Sequence, residues 1–214
     1  MTSSIPAHRR GAVVVASLLA LSAIVAGCGG GAATPSVVMV QAITPAPLGI
    51  RDTSYQPVRS APPLRLTDQD GKAFDLASLR GAPVFVYFGY THCPDICPTT
   101  LADLRAAIAA AGLPARVVFV TIDPARDTAA AMKSYVGFYA AGFVGLTGSD
   151  ADIAAAATDW GVGYSAGPAD ANGNYPMTHT TESYLVDASG LLRSHIFFGA
   201  PTDLVVQLLR TAAG

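Results

Sequence analysis

Apolar residues along this chain gather in blocks whose spacing alternates between two periods. Residues 84–90, Val-Phe-Val-Tyr-Phe-Gly-Tyr, and 117–122, Val-Val-Phe-Val-Thr-Ile, are uncharged and rich in β-branched and aromatic side chains, the pattern of strands buried on both faces. Between them, residues 101–111 set Leu101, Leu104 and Ile108 on one helical stripe, and Gly112 follows as a stop. A second helix is predicted over 128–140, with Met132, Tyr135, Val136 and Tyr139 at helical spacing. A short strand over 143–146 comes next, then an alanine-rich helix capped by Ser149 or Asp150 and ending near Trp160. Residues 165–178 read as a Gly/Pro/Asn-rich loop. Two hairpins bracket this core. One joins 64–66 to 73–76 through Asp70-Gly71; the other joins 182–186 to 191–198 through Asp187-Ala188-Ser189-Gly190. Pro201 opens a closing helix that runs to Thr211.

This alternation predicts an α/β fold: a mixed central sheet flanked by helices, with an added N-terminal hairpin. That is the plan of a thioredoxin-like domain. The N-terminus has a different texture. His8-Arg9-Arg10 precedes an uninterrupted run of apolar and small residues over 11–27, and Cys28 follows. A charged start, an apolar stretch and small residues before a cut site make a secretory signal. Val25-Ala26-Gly27-Cys28 resembles the lipobox of bacterial lipoproteins, which implies cleavage before Cys28 and lipidation of its thiol. Residues 1–27 are therefore expected to be a signal peptide. Residues 28–60, with Gly29-Gly30-Gly31 and four prolines, are expected to be a lipidated cysteine and flexible tether, within which 36–41 could form a short strand. Residues 61–214 are expected to fold, held by the lipid at the extracytoplasmic face of the cell membrane. An uncleaved signal anchor would leave the domain on the same side.

Composition adds two constraints. Hydrophobic residues make up 51% of the chain and charged residues 13%, with a formal net charge of −2. The apolar leader and the abundant alanine account for the excess. No Lys/Arg cluster exists to neutralise phosphates, which excludes nucleic acid as a partner.

Chemistry concentrates where the first buried strand turns into a helix: Gly89-Tyr90-Thr91-His92-Cys93-Pro94-Asp95-Ile96-Cys97-Pro98-Thr99-Thr100. Binding crevices of open α/β sheets lie beyond the carboxyl ends of strands, and a helix N-terminus favours anionic groups. Cysteines four apart come to one side if the segment turns helically. Their sulfurs could then form a disulfide or clasp one soft ion; thiolates favour Cu(I), Zn and Fe–S. A plain stabilising disulfide is the simpler reading, but so small a loop restrains the unfolded chain little. Asp123, beyond the second strand, could orient a ligand or act as a turn residue before Pro124. Arg126 and Asp127 read as a solvated pair or helix cap, and His195 as structural.

The stretch 88–104, Phe-Gly-Tyr-Thr-His-Cys-Pro-Asp-Ile-Cys-Pro-Thr-Thr-Leu-Ala-Asp-Leu, resembles the signature of the Sco/SenC proteins, thioredoxin-like copper carriers linked to cytochrome c oxidase assembly. Residues 66–81 and 121–136 resemble the same family's entry hairpin and second strand and helix. The family carries a histidine before its late hairpin, where this chain has His179. The resemblance thus implies that Cys93, Cys97 and His179 bind copper, as Cu(I) or Cu(II), with the imidazole making the site tolerable for Cu(II). His92 and Met177 could support that site, Met177 as a soft axial sulfur or as packing. It further implies a metallochaperone rather than an enzyme, an unidentified copper donor, and as target the dinuclear copper centre of oxidase subunit II. Two alternatives use the same residues: a thiol–disulfide oxidoreductase cycling Cys93 and Cys97, and a copper or redox sensor. A peroxiredoxin-like peroxidase does not fit, since those enzymes need Thr where this chain has Tyr90.

Overall fold

In the computed structural model, which describes residues 54–214, strand β4 (Val84–Gly89) is buried at all six positions. Its neighbours explain why. Strand β5 (Arg116–Thr121) pairs with it in parallel, Val84 opposite Arg116 through Gly89 opposite Thr121. Strand β9 (Ser183–Val186) pairs with its other edge, antiparallel. An apolar run with no alternation is what a strand covered on both faces requires.

The remaining elements are β1 (Ser54–Ser60), β2 (Arg65–Asp68), β3 (Ala73–Asp75), helix α1 (Ile96–Ala111), α2 (Ala129–Tyr139), β6 (Phe143–Thr147), α3 (Asp150–Trp160), β7 (Tyr164–Ala166), β8 (Met177–His179), β10 (Leu191–Ile196) and α4 (Thr202–Ala213). Eight strands form one sheet in the order β1-β10-β9-β4-β5-β6-β2-β3. The β4–β5–β6 centre is parallel and both wings are antiparallel. This is the mixed α/β sheet expected, with the entry hairpin β2–β3 added beside β6 and α4 packed on α1.

Four local features differ from the expectation, each for a physical reason. Ser54–Ser60, at the end of the expected tether, forms β1 and closes the sheet edge against β10. Helix α1 begins at Ile96, so Cys97 and Pro98 lie in its first turn; Pro98 is tolerated there because first-turn N–H groups have no intrahelical carbonyl to bond, so its missing N–H costs nothing. Asp127 does not cap α2. Thr128 does, accepting from the Ala131 N–H, and Asp127 is fully buried. The 165–178 loop carries strand pairing at both ends, Tyr164 opposite His179 and Ala166 opposite Met177. Of the two candidate caps for α3, Ser149 serves, in a capping box with Asp152. His195 makes structural contacts, with Nδ1 3.0 Å from Glu182 and its ring tilted at 52° to that of Tyr55, centroids 5.5 Å apart. Cys28, residues 1–27, most of 28–60 and the possible strand at 36–41 lie outside the described residues.

Asp187 shows how the β9–β10 turn is held. One carboxylate oxygen accepts the Ser189 and Leu191 amides and the Ser189 hydroxyl; the other accepts Arg193 Nε. Burial pushes its pKa up, but these donors outweigh burial and hold it below 3.8. Asp187→Ala should therefore lower unfolding stability by about 2–3 kcal/mol in a urea titration. Because the folded pKa is depressed, the wild-type advantage should persist above pH 4 and fade as pH falls through that pKa.

Candidate metal centre

The site is built at the carboxyl end of β4, where the chain turns sharply before α1. The Cys93 amide donates to the Tyr90 carbonyl at 3.3 Å, closing that turn. Asp95, the N-cap position of α1, makes no side-chain cap bond. The sulfur of Cys93 takes that role, accepting the Cys97 N–H at 3.3 Å, one of the donors every helix start leaves free. The sequence thus uses a cysteine where it would otherwise need a capping oxygen.

The two cysteines differ in setting. Cys93 is half-buried at the rim of a cleft, and Cys97 is fully buried behind it. Both are free thiols. Burial pushes the Cys97 thiol up to about 12, against the opposing effect of the Tyr87 hydroxyl, which donates to its sulfur at 3.5 Å. Room for that sulfur comes from Gly89: a Cβ there would lie 2.8 Å from Cys97 Sγ and 2.7 Å from the Phe119 ring.

His179 approaches from β8. Its Nε2 lies 3.7 Å from Cys97 Sγ, and its Nδ1 lies 2.7 Å from the Thr180 carbonyl oxygen. A carbonyl only accepts, so Nδ1 carries the proton and Nε2 turns its lone pair toward the sulfur. Burial lowers the imidazole pKa below 6.5, outweighing the Thr180 hydrogen bond that raises it. The ring is therefore a neutral donor at neutral pH, oriented through its other nitrogen in the manner of a metal-ligating histidine. Its walls are the rings of Tyr87 and Tyr90, with centroids 6.2 and 6.1 Å away. The cleft in front, about 370 Å³, runs between Cys93, Pro94 and Ile96 on one side and Met177 and His179 on the other. Cys93 and His179 line this cleft, and Cys97 Sγ lies behind it, 3.7 Å from His179 Nε2; the three ligand atoms do not all come within 4.8 Å of one another, but two sulfurs and one imidazole nitrogen are by type a donor set for a soft ion.

The supporting residues separate into two groups. Met177 lines the cleft, half-buried, with its N–H 3.5 Å from the Tyr90 hydroxyl. His92 and Asp123 make their contacts elsewhere. His92, half exposed, lies 3.6 Å from Asp127 and 3.1 Å from the Thr91 hydroxyl. Asp123 binds Arg126 and Tyr175. Ligand atoms of His92, Asp123 and Asp127 lie within 4.8 Å of one another. Every oxygen of the two carboxylates already accepts a hydrogen bond, from Thr91, Thr121, Arg126 or Tyr175, so these carboxylates are already engaged by protein donors. Arg126 and Asp127 are thus no solvated pair: Arg126, partly buried, binds Asp123, and Asp127, fully buried, binds Thr91 and Thr121. Sequence reasoning also passed over Tyr87, Tyr90 and Tyr175. The available signal was two tyrosines within a buried apolar run, since a buried phenol needs a partner.

A mixed sheet flanked by helices, with two cysteines at the strand-to-helix corner, defines a thioredoxin-like domain bearing a dithiol–imidazole site. A sequence model of the family described as SCO1/SenC matches residues 52–214, and the chain belongs to that family. It is 39% identical over 145 residues to a putative copper-binding protein of Stutzerimonas stutzeri, covering 64% of this chain and 69% of that one. It is likewise 39% identical over 150 residues to the mitochondrial protein SCO2 homolog of Mus musculus, covering 68% of this chain and 59% of that one. The chain thus spans less than two thirds of the length of that mammalian relative. The solved structure of Bradyrhizobium japonicum ScoI with copper bound superposes with a TM-score of 0.64 at 36% identity, covering 72% of this chain and 99% of that one.

The unequal burial of the two thiols gives a direct expectation. In the reduced, metal-free chain, a small alkylating reagent at pH 7.5 should label Cys93 and spare Cys97, by at least about a hundredfold in rate, because Cys97 offers neither access nor thiolate. Mass spectrometry of the separated cysteine peptides reads this; equal labelling would contradict the depth of Cys97.

Proposed function

We propose that this chain is an extracytoplasmic copper metallochaperone of cytochrome c oxidase assembly, carrying one copper ion as cargo on Cys93, Cys97 and His179. The observation that carries the reading is the approach of the neutral His179 Nε2 lone pair to the Cys97 sulfur, at 3.7 Å. A structural thiol pair needs no third donor, and thiol–disulfide exchange does not require one. Cu(II) does: two thiolates suit Cu(I), and the imidazole extends the set to Cu(II). Family membership and the copper-bound state of the Bradyrhizobium japonicum relative support this reading. The proposed recipient is the dinuclear copper centre of oxidase subunit II, with a separate copper donor upstream. The proposed location is the outer face of the cell membrane, with Cys28 as the lipid-bearing residue.

A second role uses the same thiols. Both cysteines are free and one reaches the cleft rim. Attack by Cys93 on a target disulfide would form a mixed disulfide; attack by Cys97 would release the target as a dithiol and leave Cys93–Cys97 oxidised. Two electrons and two protons pass to the target, which then holds the thiols that copper delivery needs.

Copper loading of the purified, reduced chain tests the primary reading. One Cu(I) and one Cu(II) per chain are expected, both lost in Cys93→Ala and Cys97→Ala. In His179→Ala, Cu(I) should remain and Cu(II) affinity should fall by about tenfold or more. A chain that binds no copper while its thiols cycle readily would be a redox protein instead.

A further inference from the structure

His179 is not mounted on the main sheet. Its strand, β8, pairs with β7 alone, in a ribbon of three residues on each side. A two-stranded ribbon of this length is not stable by itself, so contacts outside the ladder must fasten it. One is the Met177 amide on the Tyr90 hydroxyl, at 3.5 Å. The stronger one lies two residues earlier.

Tyr175 donates its hydroxyl to Asp123 Oδ1 at 2.7 Å. The other oxygen of that carboxylate accepts Arg126 Nε. The Arg126 guanidinium carbon lies 3.6 Å from the centroid of the Tyr175 ring and 5.9 Å from that of Tyr90. Tyr175 is thus gripped twice, at its hydroxyl by an anion and at its ring by a cation. The anchor side is firm. Asp123 is 3% exposed, its amide donates to the Thr121 hydroxyl at 2.8 Å, and its carbonyl accepts the Arg126 and Asp127 amides. Arg126 Nη2 is buried with no hydrogen-bond partner, so the guanidinium is held by one carboxylate and the ring faces rather than by a wider web.

We propose that Tyr175, clamped by Arg126 and Asp123, is a positioning residue that holds the β7–β8 ribbon, and with it His179, against the Cys93–Cys97 corner. Neither Tyr175 nor Arg126 offers the ion a donor. Their effect reaches it chiefly through the place of His179, so it divides the two oxidation states: Cu(I), satisfied by the thiolates, is little affected by the clamp, and Cu(II), which needs the imidazole, depends on it. This consequence rests on the copper reading; the fastening of the ribbon does not.

The experiment compares wild type, Tyr175→Phe and Tyr175→Ala in the full chain, first without metal. Amide exchange by NMR at Thr180 and Gly167, which donate to the Gly163 and Pro176 carbonyls within the ribbon, should accelerate by about tenfold or more in Tyr175→Ala, the scale of a lost charged hydrogen bond. Core amides of Val86 and Val118 should be unchanged. Tyr175→Phe keeps the ring over Arg126 and should fall between the two. Copper is then loaded: Cu(I) stoichiometry should hold in Tyr175→Ala, while Cu(II) affinity falls by about tenfold and the nitrogen hyperfine pattern in its EPR spectrum weakens. Wild-type exchange rates at Thr180 and Gly167, or equal acceleration in ribbon and core, would overturn the proposal. If wild type itself took up no copper, the copper reading would fail, and the metal-free exchange rates would still decide the clamp.

Discussion

A methyl group at Gly89 would press on the Cys97 sulfur and the Phe119 ring at once. The turn from β4 into α1 can therefore lay a cysteine flat on the end of the sheet only because that strand ends in glycine. Most of the cleft follows from this close approach. With Cys97 pressed down, its sulfur meets the Tyr87 hydroxyl and is shut off from water. The preceding turn then swings Cys93 over the helix start, where it accepts an N–H and stays at the rim. One constraint of backbone geometry thus makes two chemically identical residues unlike in depth and in hydrogen bonding.

The third donor is supported on another principle. The thiols sit in the turn that leaves a fully paired central strand and in the first turn of α1. The imidazole belongs to a short ribbon fastened by side chains. A single hydrogen bond to the Thr180 carbonyl sets its tautomer, and burial keeps it neutral. The donor set therefore joins a rigid part to a conditional one, and the conditional part distinguishes copper's oxidation states in the function proposed above.

Legibility in the sequence follows the same division. The strands at 84–90 and 117–122 were plain because burial on both faces writes an unbroken apolar run, and Cys93 and Cys97 were plain because their corner follows such a run. Helix α1 read five residues short, since Pro98 masks a first turn that proline in fact tolerates. Strand β1 was hidden among prolines and polar residues, as an edge strand permits. The ribbon was hidden for a further reason. Its six residues carry no periodic signal, and its fastening depends on Asp123, Arg126 and Tyr175, which meet across 52 positions of chain. No local pattern encodes such a meeting. Asp127 was misread likewise: beside Arg126 it looks like half of a surface pair, whereas its partners are Thr91 and Thr121.

The depth of Cys97 also bears on the route of the copper handover proposed above. Tyr87, Phe119 and the floor of the sheet wall its sulfur on the inner side, so an ion seated there faces the outside on one side only. In the proposed handover an acceptor could not encircle such an ion and would take over the coordination one bond at a time. The ribbon-borne nitrogen would go first, the rim sulfur next and the walled sulfur last. Loading would retrace those ligand substitutions in reverse, so the pocket would set the route of exchange and relative affinity its direction.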